Sequence, residues 1–162
     1  MSGNDTAVEL RPVNLHNYYR VLLLELAPDQ AHYLWSNGNA LAEAAYVPDQ
    51  HAEAIHAGGE LVGLATWGRW HPYFAYGDPP DPGSYSLDHL MIAAPFQGRG
   101  HGRRALDLLL ARIAGRPDCR RIVISIHRDN LVARGLYERA GFREFATGNE
   151  DDPLLELVVR SI

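Results

Sequence analysis

Three glycines alternate with Arg99 and His101 in QGRGHGRR (97–104), and this stretch limits the possible folds more than any other. Before it, SLDHLMIA (86–93) reads as a strand stopped by Pro95. After it, Leu106, Leu109, Leu110 and Ile113 fall on one helical face, with Gly115 and Pro117 as stop signals. The unit is therefore strand, glycine turn, helix. A helix start leaves four backbone N–H groups unpaired and carries partial positive charge. Phosphate oxygens satisfy both if no side chain bars their approach, and glycine removes that bar. Arg99, Arg103 and Arg104 add charge at the mouth. The competing reading is a glycine-rich turn with solvated arginines.

The flanking segments give the unit its setting. VELRPV (8–13) alternates as a short strand, and Leu15 to about Leu26 reads as a helix ended by Pro28. Residues 29–46 suggest one or two helices interrupted near Asn37-Gly38. EAIHA (53–57), Gly58-Gly59 and LVGLATWGRW (61–70) make a hairpin pattern. Four prolines mark 71–85 as a loop. RIVISIH (121–127) is a β-branched strand. Asn130 can cap a helix whose stripe is Val132, Ala133, Leu136, Tyr137 and Ala140, closed by Gly141. Phe142–Thr147 and LLELVVR (154–160) are two final strands. The order predicts a mixed α/β (α+β) sandwich, helices on a central sheet, in one domain over residues 1–162.

Composition narrows the function. A net charge of −5 argues against broad nucleic-acid binding and mildly favours cationic small partners. Cys119 is the only cysteine, so no intramolecular disulfide can form and a reducing compartment is expected. MSGNDTAVELRP lacks the pattern of a signal peptide, and no run of ~18 apolar residues exists to span a membrane. A cytoplasmic protein is the expectation. His71, His89, His101 and His127 are scattered, without HExxH or a cysteine pair, so no metal site is expected.

Two phosphate motifs fit the glycines poorly. A P-loop needs Gly-Lys-Ser/Thr, and no lysine stands here. A dinucleotide fingerprint needs an acidic residue at the end of the following strand, and GRPDCRR (115–121) offers only Asp118, before it. Gln97, Gly100 and Gly102 instead match Gln-x-x-Gly-x-Gly, which resembles the acetyl-CoA motif of the GNAT superfamily of N-acetyltransferases. In HRDNLVARGLYERAGF (127–142), Asn130, Tyr137 and Gly141-Phe142 occupy the places of that family's second motif. The resemblance covers roughly residues 8–160 in element order. It implies about seven strands flanked by about four helices, and acetyl-CoA as cosubstrate. The implied cofactor-binding set is Leu90, Met91 and Ile92 of the strand, Gln97, Gly98, Arg99, Gly100, His101, Gly102 and Arg103 of the turn, and Asn130 and Tyr137. Dimerisation through the C-terminal strands is common in that superfamily, so a homodimer is among the assemblies the resemblance allows.

Amine acetylation requires a neutral nucleophile, and an alkylammonium has a pKa near ~10.4. A carboxylate base, a donor for the departing thiolate and a hydrogen-bond donor for the developing oxyanion are the parts required. Asp88 is the candidate base: it shares strand parity with Leu90 and Ile92, which turns it toward a partly apolar face that would raise its pKa. The alternative is a solvated strand-end aspartate. The spermidine/spermine acetyltransferase branch carries Glu at the matching place. Tyr137 is the candidate acid by resemblance; by residue type alone it is a packing residue. The N–H of Met91 or Ile92 is the oxyanion donor, depending on pleat phase. His89 is expected on the opposite face from Asp88, as a surface or core hydrogen-bonder, and His71 is an alternative base.

For the acceptor, Glu25, Asp29, Glu43, Asp49, Glu53, Asp78 and Asp81 with Trp35, Trp70, Tyr73, Phe74 and Tyr76 suit a flexible polycation. ALAEAAYVP (40–48) also resembles bacterial polyamine acetyltransferases. The expectation is an acetyl-CoA-dependent N-acetyltransferase acting on a small amine, polyamine first. A protein-acetylating enzyme and a non-catalytic acyl-CoA-binding module are the alternatives.

Overall fold

The computed structural model describes residues 6–72 and 79–159. Along them run β1 (Val8–Pro12), α1 (Tyr18–Leu22), α2 (Asn37–Tyr46), β2 (Gln50–Ala57), β3 (Glu60–Arg69) and β4 (Ser84–Ile92). Then come α3 (His101–Ala114), β5 (Arg121–Ser125), α4 (Leu131–Arg139), β6 (Arg143–Thr147) and β7 (Pro153–Val158). Among the described residues seven strands form one mixed sheet of order β1-β2-β3-β4-β5-β7-β6, flanked by four helices. Successive strand residues serve opposite faces, as the pleat requires. Ile55, Ala65 and Trp67 pack with Leu106, Leu109 and Ile113 of α3, while Ala54, Leu64 and Met91 pack with Val21 of α1 and Ala40 of α2.

The first helix differs from the expectation. The helix read over 15–26 shortens to Tyr18–Leu22, because asparagines capture the backbone around it. Asn14 Oδ1 accepts from His16 N and Asn17 Oδ1 from Asn14 N, both at 2.8 Å, which makes a turn of the approach. Residues 29–46 do hold two helical pieces, a 3₁₀ turn over Ala31–Tyr33 and α2, interrupted at 34–36 just before Asn37-Gly38, and the Ser36 hydroxyl caps α2 by accepting from Asn39 N at 3.1 Å.

Two irregularities of β4 position everything that follows. Beside β5, its only parallel neighbour, Ser84–Ser86 pair with Arg121–Val123 and the pairing stops there. Among the described residues, 87–92 of β4 then run on with no strand on that side, and α3 and α4, which follow the two parted strands, start at the open end. Against β3, Thr66 faces His89 and Trp67 faces Leu87, so Asp88 is an extra residue, a β-bulge. The bulge resets the alternation. Tyr85 and Leu87 before it, and Leu90 and Ile92 after it, all pack on the α3 side. Met91 joins the α1–α2 core, and His89 bonds to Asn37 of α2. Strand parity therefore misplaces Asp88 and His89. They share a face and a cleft rather than standing on opposite sides.

Candidate active site

The glycine turn has the conformation that demands glycine. Gly98 and Gly100 lie at φ +77° and +81°, in the left-handed region, where a β-carbon costs roughly 1–2 kcal/mol. Gly100 is the N-cap of α3 and no side chain caps it, so the first-turn N–H groups remain for a ligand. Gly102 is helical, and its missing Cβ would meet Ile92 at an ordinary 3.7 Å. The Gln97 side-chain amide is committed within the protein: it donates to Ile92 O and to Gln30 Oε1, both at 2.8 Å, tying the turn to the end of β4.

A cavity of about 490 Å³ opens where β4 and β5 part. Leu90, Met91, Ile92, Gln97, Gly98, Gly100, His101, Gly102, Asn130 and Tyr137 all line it. Arg99 and Arg103 do not. Arg99 lies over the Phe96 ring and lines a separate cavity with Arg104, and Arg103 is exposed on α3. Asn130 Oδ1 caps α4 by accepting from Ala133 N at 3.2 Å. Tyr137 is 9% exposed and meets Phe142 edge-on, and burial pushes its phenol well above the ordinary value, so it stays protonated.

Register decides the strand donors. Ala93 N donates to Val62 O at 2.8 Å, and Met91 faces Leu64 two positions along the same ladder, so Met91 N–H also points at β3. The N–H groups of Leu90 and Ile92 are directed into the gap. Of the two donors considered, Met91 and Ile92, only Ile92 is in phase, and Leu90 joins it.

A second cleft, about 400 Å³, adjoins the first and shares Tyr33 and Leu34 with it. Its floor is Asp88 and His89; Glu43, Glu150 and Asp152 add carboxylates, and Trp35 adds an aromatic wall. Water reaches the Asp88 carboxyl, yet the cleft walls strip away much of its solvation and raise its pKa to about 7. A hydrogen bond with Ser86 works the other way, and the Glu43 charge adds to the rise. His89 is held down to about 4 by burial. His71 shares a small cavity with Asp88 on the other side.

Of the described acids and aromatics expected around the acceptor, Glu43 and Trp35 line this cleft. Asp29 lines the larger cavity instead. Asp49 is bound to Arg69 and Arg116, Glu53 to Arg112, and Asp81 to Arg121, all in ion pairs away from it. Trp70 shares the small cavity with His71. Tyr73, Phe74, Tyr76 and Asp78 lie outside the described residues. Glu150 and Asp152 were missed because they sit in a polar loop between β6 and β7, which only the tertiary fold brings across. Arg128 holds that loop, its side chain donating to Glu150 O and its backbone N–H to Asp152 Oδ1.

Comparison with known proteins agrees with this geometry. The profile of the acetyltransferase (GNAT) family matches residues 14–142. The chain is 28% identical over 137 residues to a spermine/spermidine N(1)-acetyltransferase of Bacillus subtilis (strain 168), covering 85% of this chain and 88% of the relative. A probable spermine N(1)-acetyltransferase of Bacillus subtilis subsp. natto matches to the same extent. Among solved structures, aminoglycoside acetyltransferase AAC(6')-Ib in complex with coenzyme A superposes with a TM-score of 0.78 at 18% identity, over 94% of this chain and 95% of that one. An acetyltransferase from Thermus thermophilus superposes at 0.69 with 22% identity, over 93% and 96%.

Proposed function

Since the chain belongs to the acetyltransferase (GNAT) family, we propose that it is an acetyl-CoA-dependent N-acetyltransferase acting on a small polycationic amine, with spermidine and spermine as the favoured acceptors. One observation carries this reading: an acidic, aromatic-walled cleft containing Asp88 opens beside a cavity rimmed by the glycine turn and the unpaired edge of β4. The names of the Bacillus relatives support the acceptor class.

The residues fit the cosubstrate. Uncapped N–H groups at the start of α3 suit a pyrophosphate, and Leu90 and Ile92 N–H groups suit carbonyl oxygens along an extended chain. Acetyl-CoA supplies the activated acetyl group as a thioester. The unpaired N–H groups on this edge would also supply a donor for negative charge developing on the acetyl oxygen, that of Leu90 being the nearer to Asp88. Deprotonating an alkylammonium at pH 7 costs roughly 4–5 kcal/mol, and Asp88 takes that proton directly or through water. Tyr137, kept protonated by burial, donates to the departing thiolate.

Free-thiol release from acetyl-CoA across an amine panel tests the proposal. Spermidine or spermine is expected to exceed butylamine, because a second ammonium gains from Glu43, Glu150 and Asp152. The advantage should fall with salt, as exposed charges are screened over about 8–10 Å at moderate ionic strength. Butylamine preferred at low salt removes the polyamine reading, and no release with any amine leaves an acyl-CoA-binding module.

The cradle has its own test. Gly100→Val places a branched side chain at φ +81° beside the uncapped N–H groups, 3.4 Å from the Arg104 guanidinium. Calorimetric titration should show a severe loss of coenzyme A affinity. A folded Gly100→Val protein that binds normally would remove the pyrophosphate from this turn.

A further inference from the structure

Asn37 and His89 form a buried pair, 9% and 4% exposed, that the chemistry above does not use. The Asn37 amide nitrogen donates to Val21 O at 3.1 Å and to Leu24 O at 3.0 Å, which turns its carbonyl oxygen toward His89. The contact of 2.9 Å between that oxygen and His89 Nε2 then requires the imidazole proton on Nε2. His89 Nδ1 is left as an acceptor without a partner among the described residues, in a ring that lines the acceptor cleft. The bulge at Asp88 is what brings this ring onto the same face as the carboxyl.

We propose that His89 Nδ1 accepts one N–H of the acceptor amine and so positions the nucleophile beside Asp88. The inference rests on reading this cleft as the amine site. A lone carboxylate holds an ammonium by charge but leaves its rotation free, whereas a neutral imbedded imidazole is a directional acceptor. The carboxylates facing the cleft are Asp88, Glu43, Glu150 and Asp152, with His127 as the other imidazole. Burial nonetheless keeps His89 neutral, with its pKa pulled down to about 4. Asp88, at about 7, is the better proton sink for an ammonium near ~10.4. The division of labour follows: Asp88 takes the proton, and His89 keeps hold of a remaining N–H while the new lone pair is aimed.

Two substitutions separate the two ring nitrogens. His89→Gln sets an amide N–H where Nε2–H was, keeping the bond to Asn37 and deleting the Nδ1 acceptor. His89→Asn sets a carbonyl oxygen at the Nδ1 position and gives up Asn37. With spermidine as acceptor, His89→Gln is expected to lower kcat/KM roughly 10- to 100-fold, the worth of one hydrogen bond to a charged group, with acetyl-CoA affinity within about twofold. His89→Asn should lose clearly less. Equal losses, or a worse His89→Asn, confine His89 to bracing α1 and α2 through Asn37 and overturn the proposal. Wild-type turnover is measured first. If spermidine is not turned over, the polyamine reading fails by itself, and the variants are compared with butylamine. A second readout needs no turnover: in protein labelled with ¹⁵N-histidine, spermidine alone should shift the unprotonated His89 nitrogen. An unmoved resonance at saturating spermidine overturns the proposal.

Discussion

Replacing Asp88 by Asn is expected to lower kcat/KM for the amine by about 10²–10⁴-fold at pH 7, the range general bases contribute. The defect should shrink as pH approaches the amine's own pKa near ~10.4, where substrate arrives neutral. In the wild type, kcat/KM should climb as Asp88 ionises through about pH 7. Stability gives the same residue an independent test. Its folded pKa of about 7 exceeds the unfolded value near ~3.9, so the folded state holds the extra proton between them. The favourable contribution of the neutral carboxyl is complete below ~3.9 and is lost as pH rises through about 7. Asp88→Asn should therefore raise Tm at pH 8, and the gain should fade toward acid. A pH-independent kinetic defect without a Tm gain would make Asp88 a positioning residue and pass the base role to His71 or a water chain.

Tyr137→Phe is expected to reduce kcat by a comparable 10²–10⁴-fold, roughly the general-acid contribution, while calorimetry shows unchanged acetyl-CoA affinity. The ring would still meet Phe142 edge-on at 5.6 Å, so packing survives and only the hydroxyl is lost. A kcat within about threefold of wild type would return Tyr137 to core packing, since general acids contribute far more.

What could be read from the chain alone was whatever local chemistry writes down. The glycine turn at 97–104, the apolar face of α3 and the Asn130 cap each depend on neighbours within a turn or two. Those features placed the glycine turn, Leu90, Ile92, Asn130 and Tyr137 around one cavity. The bulge left no such mark. One extra residue at Asp88 is invisible in SLDHLMIA, yet it inverts the parity of everything beyond it and puts His89 into the cleft. The acids failed for another reason. A carboxylate's destination depends on which arginine it meets, and Asp49, Glu53 and Asp81 met Arg69 and Arg116, Arg112, and Arg121. Glu150 and Asp152 reach the cleft because β7 pairs beside β5, which brings their loop against Ile126 and Arg128 at the end of β5.

The two proposed sites at the parting of β4 from β5 differ in how each could change over generations. On the proposed cosubstrate side the donors along the rim are main-chain N–H groups of Leu90, Ile92 and the start of α3, which substitutions other than proline, outside the left-handed glycines 98 and 100, leave in place. On the proposed acceptor side recognition would rest on side chains, Glu43 and Trp35 from one part of the chain and Glu150 and Asp152 from another, each replaceable by a single codon. Such a scaffold keeps its acyl carrier while its clientele drifts, and an engineer seeking a new amine would begin with those four positions and leave the strand alone.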